Sequence, residues 1–325
     1  MSVFQSRAWQ SAWWEAWGQT KGFRLVRPWD GEVSGLYESR YRYKGVLPIR
    51  SLQFVGTSHR ELRTPRTEYN SFFRDGGAGE SLASRISELL ETHSWTEAVF
   101  SDLLKGSEEL EALVSLAARH NWGVRINSVD DGYSINTSDG FQSYLDGLGS
   151  NTRLRLFNRR KLLESEGDVE HTNLWQSDPE LFFEHLNQFH LKRWGKPCFG
   201  GTSLAFHLKF LDRVEGEGGI PYLSALSVDG NVVSVLYNVW YRGTVYNIQA
   251  GFMQDFHRKL ALGSLHLGYA IEDAFNCRET KAFDLLAGCG KNEDYKKRFS
   301  TDCYQFLSVM LVKSAPFRAL YWMKG

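Results

Sequence analysis

The amino-acid sequence predicts a two-domain protein of the α/β (α+β) class. Three observations carry that prediction. The chain has 325 residues, and domains run to roughly 150 residues each. The Gly-, Ser- and Asp-rich stretch SDGFQSYLDGLGSN breaks the pattern near the middle, at Asp139–Ser150. On both sides of it, segments with helical periodicity are mixed with short runs of strand character. The expected domains are therefore 1–140 and 141–325.

The bulk composition narrows the function classes. Hydrophobic residues make up 42% of the chain and aromatics 14%. That is enough for two packed cores and too apolar for a disordered chain. Lys and Arg together number 38, as do Asp and Glu. With no net charge there is no global positive field to hold a polyanion, which argues against a dedicated nucleic-acid binder. Cys198, Cys277, Cys289 and Cys303 form no CxxC pair and have no histidine cluster at zinc-like spacing. Reduced, partly buried thiols and no metal are the expectation. The N-terminus, MSVFQSRAWQSAWWEAWG, lacks the basic start, apolar run and cleavage site of a signal peptide. No run approaches ~20 apolar residues, so no membrane insertion and a cytoplasmic location are expected.

In the first half, Trp9, Trp13, Trp14 and Trp17 recur close to helical spacing and predict an amphipathic helix over 4–20. Strands follow at Phe23–Pro28, Gly35–Tyr43 and Lys44–Ile49, with a turn at Lys44-Gly45. Residues 79–92 and 107–120 read as helices, with a strand near Ala98–Ser101 between them. After the break, NTRLRLFNRRKLLESEG reads as a helix bearing Arg153, Arg155, Arg159, Arg160 and Lys161, either a phosphate-contacting patch or a solvated connector. Ser177-Asp178-Pro179-Glu180 starts a helix, either with Asp178 as cap and Pro179 in the first helical position or with Ser177 and Glu180 as a capping box, and the helix runs to about Trp194 and ends before Gly195. A second helix covers 204–214. Three strands then form a meander, Tyr222–Val228, Val232–Tyr241 and Val245–Phe252, turning at Asp229-Gly230 and Arg242-Gly243. A long helix, a strand at Ala282–Leu286, the turn AGCGKNED, a short helical YKKRF segment and a strand at Cys303–Val312 complete the chain.

The segment richest in chemistry is Tyr246–Ala274, where a strand feeds a helix through Arg258-Lys259-Leu260-Ala261-Leu262-Gly263. Small residues at Ala261 and Gly263 let backbone approach a ligand, and the amides of a helix start form an anion site. Arg258, Lys259, Ala261, Leu262, Gly263 and Ser264 are thus candidates for holding a pyrophosphate. Ile248, Gln249 and Ala250 on the preceding strand could pair through their backbone with an extended, amide-containing ligand arm.

RKLALG resembles the GNAT (Gcn5-related N-acyltransferase) signature [Q/R]-x-x-G-x-[G/A], with Ala261 in place of the first glycine. The order of three antiparallel strands, turn, helix, strand, short helix and strand is that family's order. FQSRAWQSAWW, FNRRKLLE, FHLKRWG and FDLLAGCGKNEDYKKRF look like the CelD-like/FemAB-like branch, over nearly the whole chain. The resemblance implies two tandem GNAT-like domains, each a mostly antiparallel mixed sheet flanked by helices, with the cofactor-type motif in the second only. It implies an N-acyltransferase that moves an acyl group, from acetyl-CoA or another acyl-CoA, to an amine. The acceptor would be a sugar, a peptidoglycan precursor or another envelope-related small molecule, glycan or peptide. Fem-type transfer from aminoacyl-tRNA and a catalytically silent binding module are the rival readings.

Outside the motif, His190, Arg193 and Trp194 share one helix face at i, i+3 and i+4, and either line an acceptor pocket or pack a helix end. Asp284 lies among apolar residues, where a carboxylate needs a partner, and is either a base or half of an ion pair. Tyr295 could protonate a leaving thiolate, and Lys296 could hold a phosphate or carboxylate of the substrate. His190, Asp284 and Tyr295 are the catalytic candidates, and Arg193, Trp194 and Lys296 the substrate-binding ones.

Overall fold

The computed structural model describes residues 1–72, 81–288 and 291–322, and only the backbone for 291–294 and 322. Residues 79–80 of the expected helix 79–92, and Cys289 and Gly290 of the expected turn, lie outside the described residues. The chain divides into two units, Met1–Asp131 with Tyr304–Gly325, and Gly132–Cys303. Each is a mostly antiparallel mixed sheet flanked by helices.

The first unit opens with α1 (Arg7–Trp13), capped where the Ser6 hydroxyl accepts the Trp9 N–H, and the helix continues as a π-helical turn over Trp14–Gln19. Trp9 and Trp13 are fully buried, so the tryptophan stripe is core. Strands β1 (Arg24–Arg27), β2 (Leu36–Tyr43) and β3 (Leu47–Phe54) follow, then α2 (Leu82–Thr92), β4 (Glu97–Leu104) and α3 (Glu108–Arg119). Lys44 and Gly45 both carry positive φ, 52° and 75°, as the expected hairpin turn requires. β1, β2 and β3 pair antiparallel, β3 runs parallel to β4, and the C-terminal strand Asp302–Val312 closes against β4 antiparallel. A helix at Ala315–Trp322 ends the chain.

The second unit receives the end of β5 (Gly123–Asn136), then α4 (Phe141–Gly147) and α5 (Ser150–Arg153), which runs through a π-helical turn, Leu154–Asn158, to α6 (Arg160–Glu164). After β6 (Val169–Asn173), α7 (Pro179–Trp194) starts where Asp178 accepts the Leu181 N–H and stops at Gly195 with φ 71°. The unit continues with α8 (Gly201–Glu215), β7 (Ile220–Val228), β8 (Asn231–Tyr241), β9 (Thr244–Phe252), α9 (Leu262–Asn276), β10 (Ala282–Ala287) and α10 (Lys291–Phe299). β6 to β9 form an antiparallel run, β9 is parallel to β10, and β5 closes against β10 antiparallel.

The two pairing schemes are therefore alike: antiparallel strands, one parallel step, then an antiparallel closing strand. The closing strands are exchanged. β5 follows β4 in sequence yet closes the second unit, and the strand after α10 closes the first. This is why the expected division at 140/141 differs from the observed one. The loop-like composition at Asp139–Ser150 belongs to α4 inside the second unit, and residues 304–325 belong to the first. β5, β6 and the C-terminal helix were not among the expected elements.

Within the second unit, α9 packs closely enough on the 154–158 turn that a Cβ on Gly268 would stand 2.0 Å from the Leu156 carbonyl oxygen. A buried chain of hydrogen bonds ties the sheet to α9. The Gly251 carbonyl can only accept, so the Ser234 hydroxyl donates to it at 3.4 Å and in turn accepts from His266 Nδ1 at 2.9 Å. His266 Nε2 then accepts from the Ser224 hydroxyl at 2.7 Å, and Ser224 accepts from His171 Nε2 at 2.6 Å. One carbonyl thus fixes both tautomers. Burial holds His266 well below the ordinary imidazole range and lowers His171, while His207, buried beside the Tyr237 hydroxyl, is pushed down to about 3.

These histidines fold uncharged. Below pH 6.5 the unfolded chain takes up protons that the native state refuses, so stability falls as the solution is acidified. For His207 alone the loss between pH 7 and pH 5 should be about 2 kcal/mol. Urea denaturation of His207→Gln at both pH values should show a correspondingly flatter dependence than wild type. An unchanged dependence would mean that His207 is protonated in the fold.

Candidate active site

A cleft of about 450 Å³ opens in the second unit where β9 and β10 part. The two strands pair in parallel only from Thr244/Ala282 to Tyr246/Asp284. Each then leaves the ladder for its own reason. On β9, Tyr237 faces Gln249 while Asn238 faces Asn247, so Ile248 is the extra residue of a bulge. On β10 the register against β5 slips between Asp284 and Ala287, and Leu286 takes a left-handed backbone with φ 60°. The Asp284 carboxylate accepts the Leu286 N–H at 2.8 Å, and Lys296 Nζ donates to the Leu286 and Ala287 carbonyls at 3.2 and 2.7 Å. A left-handed leucine is strained, and these bonds hold it.

Asp284 and Lys296 thus build the fork instead of lining it. Asp284, expected as a base, is 3% exposed, and Lys296, expected to bind substrate, is buried with its ammonium on backbone carbonyls. Neither is among the residues that line the cleft.

The cleft walls come from five elements, of which β8 contributes Leu236. α7 contributes Phe189, His190, Arg193 and Trp194, β9 contributes Asn247 and Gln249 to Phe252, α9 and its lead-in contribute Ala261, Gly263, Ser264 and Leu267, and α10 contributes Tyr295 and Phe299. His190, Arg193 and Trp194 do converge on it. The His190 Nε2–H donates to the Ala250 carbonyl at 3.0 Å, which leaves Nδ1 as the site for a proton. Partial burial lowers the imidazole, which is therefore neutral at pH 7. The Arg193 guanidinium lies 4.7 Å from the Trp194 ring and 5.0 Å from that of Phe252. Trp194 is 58% exposed at the cleft mouth. Tyr295 is 37% exposed, yet partial desolvation of its hydroxyl raises it above the ordinary phenol range, and so it keeps its proton.

At the other end, α9 begins at Ala261 with no side chain capping its first turn. An uncapped first turn leaves backbone amides to an anion, with the helix dipole in support. Ala261, Gly263 and Ser264 stand there. Gly263 is needed for packing as well: a Cβ on it would lie 2.6 Å from the Phe252 ring. Leu262 is buried in the core with Leu260 and Leu265, and so offers a ligand only its backbone. Arg258 and Lys259 are exposed on the preceding turn, outside the cleft lining, and the Lys259 carbonyl accepts from Arg159. Ile248 is also outside the lining, at the bulge.

Of the expected basic patch, Arg160 pairs with Glu272 and stacks 3.9 Å from the centre of the Tyr269 ring, while Arg155 and Lys161 are exposed. A shallower hollow of about 330 Å³ beside Phe141, Arg153, Phe157 and Arg160 accompanies that patch. Among the described residues no cluster of His, Cys, Asp or Glu could hold a metal, and no helix is long and apolar enough to cross a membrane. Sequence reasoning passed over Leu236, Asn247, Phe252, Leu267 and Phe299, all of which line the cleft.

Residues 150–297 match the family model of the acetyltransferase (GNAT) domain. The chain therefore carries a GNAT domain and is an acyltransferase of that type. Among solved structures, FemX shares 12% identity at a TM-score of 0.60, over 95% of this chain and 93% of that one. The C-terminal domain of a proposed lysylphosphatidylglycerol synthetase from Agrobacterium fabrum shares 11% at 0.54, over 98% and 90%. L-PGS from Bacillus licheniformis shares 11% at 0.52, over 97% and 94%. These likenesses are of fold. No curated protein matches the sequence.

If Asp284 serves the backbone of β10, its charge is dispensable and its oxygen is not. Asp284→Asn should keep stability within about 1 kcal/mol of wild type, since the amide oxygen can still accept. Asp284→Ala should lose about 1–3 kcal/mol by leaving a buried N–H without its acceptor. Equal losses in chemical denaturation would show that the carboxylate charge, and not the bond to Leu286, is what matters there.

Proposed function

We propose that the cleft binds a CoA thioester, acetyl-CoA or another acyl-CoA, and passes its acyl group to an amine of a sugar, a peptidoglycan precursor or a related envelope building block. One observation carries the reading. The unpaired length of β9 and the uncapped start of α9 border the same cleft. An extended amide-containing arm suits the first, and a pyrophosphate the second. The lining residues fit such a co-substrate: Ala261, Gly263 and Ser264 at the helix start are small, and Leu236, Phe252, Leu267 and Phe299 are apolar beside the arm's path.

The amine attacks the thioester carbonyl, a tetrahedral oxyanion forms, and the thiolate departs. His190 is the proposed proton acceptor, through Nδ1, because it is neutral and its other nitrogen is held by Ala250. Tyr295, still protonated at neutral pH, is the proposed donor to the thiolate. Ile248, the extra residue of the bulge, is the proposed source of a backbone N–H for the oxyanion. Arg193 and Trp194 at the mouth are proposed to meet the acceptor. Transfer from aminoacyl-tRNA finds less support, because Arg159 and Arg160 of the basic segment are engaged with this unit's own carbonyl and carboxylate groups.

Acetyl-CoA at about 100 times its Kd should stabilise the protein by about 2.7 kcal/mol in a thermal-shift experiment. Ala261→Glu should abolish that shift while the unliganded protein melts no lower, since an acidic residue favours a helix start. His190→Gln should keep thioester affinity and slow turnover by about 10²–10⁴-fold. A wild-type protein that no CoA thioester stabilises would remove the donor assignment.

A further inference from the structure

Asn238 and Asn247 face each other across β8 and β9, immediately beside the bulge at Ile248. Asn247 lines the cleft, and its Nδ2 donates to Asn238 Oδ1 at 2.7 Å. Asn238 is 1% exposed, and its own Nδ2 is buried without a hydrogen-bond partner among the described residues. A buried carboxamide left in that state costs about 1–3 kcal/mol, so its retention in a strand calls for a reason. The surroundings sharpen the point. Leu236, Ala250, Leu267 and Phe299 are apolar residues that line the same cleft as Asn247. A pair of leucines would have filled this place with no polar debt.

The orientation of the two amides does not remove the surplus. As placed, Asn247 donates and Asn238 holds the unused N–H group. If both amides are reversed, Asn238 donates to Asn247 Oδ1, and the unused N–H group passes to Asn247, which borders the cleft. In the first arrangement the cleft is offered the Asn247 carbonyl oxygen, and in the second its amide nitrogen. A hydroxyl matches the group offered to the cleft in either arrangement, because it both donates and accepts, and in the second it takes up the surplus N–H itself. An ammonium cannot take up an N–H donor, and an alkyl group satisfies neither.

From this juxtaposition we propose that the Asn238–Asn247 pair sets acyl specificity, admitting a short acyl group that bears a hydroxyl in preference to the alkyl group of the same size. The proposal rests on the CoA-thioester reading of the cleft and adds the class of acyl group to it.

The test is a ratio. Calorimetric affinities of glycolyl-CoA and propionyl-CoA, which are near-isosteric, are measured for wild type, Asn247→Leu and Asn238→Leu. Free CoA is measured with wild type as the control for the donor reading. Wild type should bind glycolyl-CoA at least about tenfold more tightly, since a buried amide left unmatched discriminates by that much or more. Each leucine variant should bring the ratio to one or reverse it. Asn247→Leu, at the half-buried position, keeps the test open if Asn238→Leu does not fold. A wild-type ratio near one, with CoA itself bound, overturns the specificity proposal and leaves the donor reading standing. A preference that survives in the leucine variants overturns it as well. Failure of CoA and of both thioesters to bind would remove the donor reading and this proposal with it.

Discussion

The fork between β9 and β10 is the constraint on which the candidate site depends. Parallel neighbours in a sheet ordinarily stay paired, because each unpaired backbone group in a buried place is costly. Here they separate after three register pairs, and both separations are stabilised locally. β9 gains a residue at Ile248, which turns its edge. β10 is diverted by a left-handed Leu286 whose N–H is taken by Asp284 and whose carbonyl is taken by Lys296. The edge of β9 exposed by the fork is partly occupied: the Ala250 carbonyl by His190, and its N–H by the Gln249 side chain. The chain from Gly251 through Ser234, His266 and Ser224 to His171 then fixes that strand to α9, so the two walls that would receive a ligand are held together. Such rigid support is what a site needs if binding is not to be offset by reorganisation.

The second unit's fold was largely legible, because its signals are local. Asp229-Gly230 and Arg242-Gly243 adopt the positive φ values that their hairpins demand. Asp178-Pro179 and Gly195 delimit α7 where capping chemistry places them. Non-local pairing was not legible. The exchange of closing strands leaves no trace in periodicity, since a strand reads the same whichever sheet receives it. The same limit explains the domain division, which composition alone placed at a stretch that folds as α4.

The site was legible in part. His190, Arg193 and Trp194 share a helix face, and the small residues before α9 mark a close backbone approach, and both reach the cleft. Asp284 and Lys296 drew notice for a sound reason, a carboxylate in an apolar strand and a lysine after a glycine-rich turn. That reasoning identifies groups in need of partners without saying whether a partner is a ligand or backbone, and here backbone is among the partners of both. The Asn238–Asn247 pair was within reach. A two-residue turn at Arg242-Gly243 fixes the register that sets the two amides opposite each other, and two amides inside apolar strands are conspicuous once the register is counted. The bulge beside Asn247, at the cleft wall, is a tertiary feature and had no sequence signal.

The central claim is that the opened edge of β9 and the uncapped start of α9 act as one binding site. Hydrogen–deuterium exchange resolved to single amides, with and without saturating acetyl-CoA, tests it most directly. The account predicts slowed exchange at Ile248–Ala250 and at Leu262–Ser264 together, with the β2–β3 hairpin of the first unit unaffected. Protection confined to other segments while acetyl-CoA is bound, or protection at only one of the two, would contradict it.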